Sequence, residues 1–170
     1  RVLRRSEPRS RRRSVVNVLI HSIGSFGDVQ PFLVLSKALI ATGHRVRFAT
    51  LSSHRKQIED AGIEFRAITP DVPLDDDEVY RRVFDPKTGV EALLKEILFP
   101  AVRQTFHDLD EAAKDCDLMI SGSLSFCADL VHRKRGIKWI STALQPAALP
   151  SASQFPVTSE MPWLRHVTSH

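Results

Sequence analysis

The residues best placed to do chemistry stand together near the start of the chain, in Gly24-Ser25-Phe26-Gly27-Asp28. Asp28 is the only carboxylate in this stretch. A carboxylate in a loop can take a proton from a hydroxyl within hydrogen-bond reach. At a helix start it can equally cap backbone N–H groups. Gly24 and Gly27 also have two readings: a tight turn that needs positive φ, or a close approach of backbone to a bound ligand. Both pairs of readings remain open from these residues alone.

Other chemistries find less support. No Ser–His pair stands in a recognisable nucleophile elbow, so hydrolysis by a triad is not indicated. The glycine pattern is G-x-x-G rather than G-x-G-x-x-G. Thr50-Leu51 stands where a dinucleotide fold would place its ribose-binding acid, which leaves an NAD-type domain as an alternative only. The Walker pattern is absent. Cys116 and Cys127 are widely spaced and read as buried free thiols. His166 and His170 make no metal signature. Asp75, Asp76, Asp77 and Glu78 read as the acidic first turn of a short helix, where carboxylates favour the positive end of the dipole. No metal is expected.

The elements that must position the glycine loop follow from periodicity. Val15 to Ile20 is a short apolar, β-branched run of the kind expected of a buried strand. Pro31 is expected to open a helix in which Phe32, Leu35, Leu39 and Ile40 share a face, closed by Gly43. Arg45 to Thr50 is a second strand. Ser52 or Ser53 caps a helix running to about Ala61, and Ile63 to Ile68 forms a third strand. A long helical pattern starts at Val90 and reaches Leu109, with Pro100 expected to kink or split it. Leu118 to Ile120 is a fourth strand, followed by the small-residue loop Ser121–Ser125 and a helix to about Lys134. Ile137 to Ala143 is the fifth strand. Alternating strands and helices imply an α/β fold with a doubly wound parallel sheet and helices on both faces. Ligands collect beyond the carboxyl ends of such strands. Three loops should converge there: Ser22 to Asp28, Ser121 to Ser125, and Thr142 to Gln145. His44 falls at the opposite edge and reads as structural.

The stretch from Gly24 through Phe32, with Leu33, Leu35, Gly43-His44-Arg45-Val46 and Ala49-Thr50, resembles the N-terminal domain of glycosyltransferase family 28. Sterol glucosyltransferases and antibiotic glycosyltransferases are among that family's relatives. Cys116 to Ser121, Gly136-Ile137 and Gln145-Pro146 continue the resemblance, which covers roughly residues 15 to 165. Phe26 stands where the family usually has arginine. The resemblance implies the Rossmann-like half of a GT-B enzyme that transfers a hexose, with inversion, from a UDP-sugar to a hydroxyl of a lipid, sterol or other apolar acceptor. It implies Asp28 as general base and Gly24, Ser25 and Gly27 as the loop facing the donor. Ser123 and Gln145 become candidates for the acceptor pocket. Val90, Leu94, Leu98 and Phe106 could wall that pocket, or serve as core. The nucleotide sugar is a co-substrate and no further cofactor is implied.

With 170 residues there is room for one sizeable core. The implied partner of this half, a donor-binding C-terminal domain, is not within them. The chain is therefore expected to be a fragment that is inactive alone, with a non-catalytic remnant or partner domain as the alternative. Residues 1 to 13 carry seven arginines and one glutamate, so the remaining chain holds 17 basic against 19 acidic residues. The basicity belongs to the arm, residues 1–14, which has too little apolar content to order itself. Peripheral contact of this arm with a membrane is conceivable; nucleic acid is not an expected partner. No apolar stretch reaches the roughly 20 residues of a membrane span. The expected location is cytoplasmic.

Overall fold

Among the described residues, five short strands pair in parallel, in the order β3-β2-β1-β4-β5: β1 Asn17–His21, β2 Arg45–Thr50, β3 Glu64–Ala67, β4 Leu118–Ser121 and β5 Lys138–Ser141. The computed structural model describes residues 14–71, 76–85 and 87–144. The basic arm up to residue 13, Asp75, Gln145, His166 and His170 lie outside these. The helices are α1 Phe26–Ala41, α2 Arg55–Asp60, α3 Asp77–Val83, α4 Gly89–Ala92, α5 Phe99–Ala112 and α6 Ala128–Arg135.

The register places Val18 of β1 opposite Val46 on one side and Leu118 on the other. β1 is thus central, and successive side chains along it enter different cores, as strand geometry demands. Leu19 and Ile23 face Met119, Leu98, Leu109, Ala112, Ala128 and Val131, the layer formed by α5 and α6. Val18 and Ile20 face Val29, Phe32, Leu33, Phe48 and Ile58, the layer formed by α1 and α2. Leu19, Ile20 and Phe48 are fully buried, each stabilising the fold by about 1.5–3 kcal/mol relative to exposure. The α/β, doubly wound reading holds.

Several boundaries differ from those expected. Helix α1 begins at Phe26, five residues before Pro31, which sits inside it. The reason is the cap: Asp28, at the third helical position, reaches back to the N–H of Ser25 at 2.9 Å. Half of a capping box is enough to start the helix early. Pro31 lacks only the N–H that would have reached the Gly27 carbonyl. The buried face is Val29, Phe32, Leu33 and Ser36, while Ile40 is exposed. The pattern from Val90 divides into α4, a π-helical turn over Leu93–Leu98 and α5, with Pro100 in the first turn of α5 where its missing N–H costs nothing. β5 is shorter than expected, ending at Ser141, and Thr142 just beyond it bonds both its N–H and its Oγ–H to the Ser121 carbonyl, at 2.9 Å each.

Other expectations agree. Asp77 and Glu78 lie in the first turn of α3, and Asp76 Oδ1 accepts the N–H of Glu78 at 2.8 Å. Cys116 and Cys127 are buried free thiols, and burial pushes both up from the ordinary thiol range. His44 sits at the amino end of β2, where its Nδ1 accepts the Val16 N–H at 3.3 Å. Among the described residues no helix is long and apolar enough to cross a membrane.

Candidate active site

The sheet winds outward from β1 in both directions, so the loops after β1 and β4 diverge and leave a crevice between them. Such a switch point is where open α/β sheets hold ligands. At Gly122 the loop after β4 comes close to the loop after β1 and to α1: a Cβ there would stand 3.2 Å from Ser22 Oγ and 3.4 Å from the Phe32 ring. The Gly122 N–H and Ser125 Oγ–H both donate to the His21 carbonyl, at 2.9 and 3.3 Å. Ser123, exposed, donates to the Thr142 carbonyl at 3.4 Å. The carboxyl ends of β1, β4 and β5 are thereby tied together, as expected of their three loops.

Asp28 lies at the meeting of two clefts. One, of about 210 Å³, is lined by Ser22, Ile23, Asp28, Gly122, Ser123, Leu124 and Leu144. The other, of about 240 Å³, is almost wholly apolar, with Leu51, Phe84, Val90, Leu93 and Leu98 around Asp28, Gly24 and Ser25. Both share Ile23, Asp28 and Leu124. A carboxylate at the edge of an apolar cavity is the usual composition of a small-molecule site: hydrophobic walls and a few convergent polar groups.

The carboxylate is held on one side only. Ser25 donates its N–H and its Oγ–H to Asp28 Oδ2, each at 2.9 Å, and Ser22 Oγ–H donates to the Asp28 carbonyl at 3.1 Å. Among the described residues nothing donates to Oδ1.

The candidate residues separate under this geometry. Gly24 has φ +143 and the reading as a special turn holds for it. Gly27 does not need positive φ; it is the second residue of α1, and a Cβ there would meet only Ser25 Oγ at 3.7 Å. The early start of the helix overturns the turn reading at that position. Ser25, Gly24 and Asp28 line the apolar cleft and Ser123 the other. Gln145 lies outside the described residues. Of the four apolar candidates, Val90 and Leu98 line the cleft, Leu98 being a core residue as well, while Leu94 and Phe106 pack against the core only. Sequence reasoning missed Ser22 as a holder of the Asp28 backbone, and His54, whose Nε2–H donates to the Gly24 carbonyl at 3.1 Å. Ser22 was legible as a loop hydroxyl; His54 is 30 residues from its partner and carried no signal. β2 ends in buried Thr50 and is followed by buried Leu51, so no carboxylate stands at the ribose position of a dinucleotide site. Among the described residues, no group of three or more His, Cys, Asp or Glu is placed to hold a metal ion.

Comparison with known proteins identifies the family and the fold. Residues 18–142 match the model of the glycosyltransferase family 28 N-terminal domain. The chain is similar to the sterol 3-beta-glucosyltransferase of Glomerella lagenarium, 31% identical over 128 residues, covering 74% of this chain and 8% of that relative. It is similar in fold to the calicheamicin glycosyltransferase CalG4, with TM-score 0.61 and 17% identity over 92% of this chain and 38% of that one. The Streptomyces sp. SF2575 glycosyltransferase SsfS6, solved with thymidine diphosphate, gives TM-score 0.54 at 22% identity, over 75% of this chain and 38% of that one. The chain therefore spans well under half the length of each of these three proteins. It belongs to glycosyltransferase family 28, and residues 18–142 are its N-terminal domain.

Proposed function

We propose that this domain is the acceptor-side half of an inverting, nucleotide-sugar-dependent glycosyltransferase acting on a sterol or similarly apolar alcohol. The observation that carries the reading is the place of Asp28, where the apolar cleft and the crevice between β1 and β4 meet. The acceptor's rings lie against Leu51, Val90, Leu93 and Leu98, and its hydroxyl reaches Asp28 Oδ1. As the acceptor's hydroxyl oxygen attacks the anomeric carbon, its proton passes to the carboxylate, and the bond from the sugar to the nucleotide's phosphate breaks. Ser25 keeps Oδ2 in place through the transfer, so the proton is taken along one direction. Gly24, Ser25 and Gly27 form the edge that meets the donor, a UDP-hexose in this reading. The nucleotide itself is held mainly by a second domain. The sterol named for the Glomerella relative and the nucleotide bound by SsfS6 support the two substrate classes.

The test is transfer from a nucleotide hexose to a sterol by the protein in which this domain is joined to a donor-binding domain. Asp28→Asn retains a carbonyl oxygen for the two Ser25 bonds but cannot take the proton. Turnover should fall by about 10²–10⁴-fold with little change in acceptor binding. Near-normal turnover by Asp28→Asn would remove Asp28 from the mechanism and leave it a helix cap.

A further inference from the structure

A single peptide unit connects His54 to the carboxylate. The Gly24 carbonyl accepts the Nε2–H of His54 at 3.1 Å, and the Ser25 N–H, at the other end of the same peptide, donates to Asp28 Oδ2 at 2.9 Å. A trans peptide is planar and rigid, with its C=O and N–H pointing in opposite directions. Fixing the carbonyl therefore fixes the N–H. This matters because the peptide follows Gly24, whose backbone is the least restricted of any residue. With φ at +143 and no side chain, Gly24 does little to stop the peptide from turning over.

His54 is well placed to prevent that. It ends the 3-10 turn Ser52–His54 that follows β2, and its own N–H donates to the Leu51 carbonyl at 3.1 Å. Leu51 is fully buried and His54 nearly so, at 9% exposure. The His54 backbone is thus held in the turn after β2, outside the loop that its ring reaches. A carbonyl cannot donate, so Nε2 carries the hydrogen in this contact.

We infer that His54 is a positioning residue: it holds the Gly24–Ser25 peptide with its N–H toward Asp28 and so sets the direction of the free carboxylate oxygen. The inference rests on Asp28 being the proton acceptor. Hydrogen bonds in series also polarise one another, so the His54 contact strengthens the Ser25 N–H as a donor. Without it the peptide can turn over. Asp28 Oδ2 then keeps only the Ser25 hydroxyl, and Oδ1 swings away from the acceptor. His54 is not among the residues lining either cleft, so acceptor affinity should not depend on it.

The experiment uses the transfer-competent protein, a sterol acceptor and a nucleotide hexose. His54→Phe keeps a ring but no donor, and His54→Gln returns an N–H near the position of Nε2. His54→Phe should lower kcat roughly 10- to 100-fold, as small misplacements of reacting groups do. The acceptor KM should stay the same, and His54→Gln should recover most of the loss. In an Asp28→Asn background His54→Phe should add nothing, because the group it positions is gone. If His54→Phe does not fold, His54→Asn, whose amide is too short to span the gap, carries the same expectation against His54→Gln. Wild-type kcat in His54→Phe beside an inactive Asp28→Asn would overturn this inference alone. A full-sized His54→Phe loss in the Asp28→Asn background would also overturn it, since His54 would then act by another route. Wild-type turnover by Asp28→Asn itself would sink the base assignment, and this inference with it.

Discussion

Gly24 and Asp28 are packed so tightly that a Cβ on residue 24 would stand 2.4 Å from the Asp28 Oδ2 atom. Position 24 therefore has two separate demands: a φ of +143 that L residues rarely adopt, and room for a carboxylate against its α-carbon. Gly27, three residues on, has neither, yet it belongs to the same motif. The contrast separates a glycine that the fold requires from one that only a ligand could require.

Gly24→Ala should destabilise the domain by roughly 1–3 kcal/mol, from backbone strain alone, and displace the carboxylate. Gly27→Ala, inside a helix, should leave stability unchanged or raise it by up to about 1 kcal/mol. If the Gly27 backbone meets the donor, Gly27→Ala should raise the donor KM while the melting temperature holds. Thermal unfolding and donor titration on both variants check this. Unaltered donor kinetics in Gly27→Ala would take Gly27 out of the donor-facing loop.

His21 gives a stability signature in mild acid. Its ring is fully buried at the end of β1, and burial pushes it down from 6.5 to about 4, against the smaller upward pull of its bond to the Ala49 carbonyl. The folded value lies below the unfolded one, so the unfolded chain takes up the proton first. Stability from this group is full above pH 6.5 and declines as pH falls toward 4. The loss totals about 3 kcal/mol, at about 1.4 kcal/mol per pH unit. Urea unfolding of the wild type and His21→Gln, followed down from neutral pH, should show a shallower decline in the variant. Parallel curves would show that His21 is not the group responsible.

Asp110 joins α5 to α6 and should behave in the opposite sense from His21. Its side chain, 8% exposed, accepts from Arg135 Nε at 2.5 Å and from Lys134 Nζ at 2.8 Å. The Arg135 hydrogen bond, with Lys134 beside it, holds the carboxyl below the ordinary value of 3.8. Its contribution is therefore complete above that value and lost as pH falls through the lower folded one. Asp110→Asn should cost about 1–2 kcal/mol at neutral pH, since Lys134 is half-exposed and its share is screened. The gap between variant and wild type should close in acid. A constant gap down to strongly acidic pH would mean that packing, not charge, explains the cost.

Much of this protein was determined locally and could be read locally. Arg45–Thr50 is a strand with the expected boundaries because its apolar and β-branched residues suit a strand buried on both faces. The turn at Gly24 followed from glycines between a strand and a helix, although Asp28, expected in that loop, lies inside α1; the convergence of three loops followed from parallel topology. The start of α1 did not, because Asp28 caps it through a contact that proline-based boundary rules do not weigh. Helical spacing placed Val90, Leu94, Leu98 and Phe106 alike, but only packing against the sheet set Leu94 and Phe106 against the core, made Leu98 both core and cleft wall, and left Val90 exposed on the cleft. His54 meets Gly24 across 30 residues, and Ser125 meets His21 across 104. Spacing along a chain encodes which face a residue shares with its near neighbours. Which distant backbone group a side chain reaches is decided when strands β1, β2 and β4 come into register, so those contacts exist only in the folded sheet.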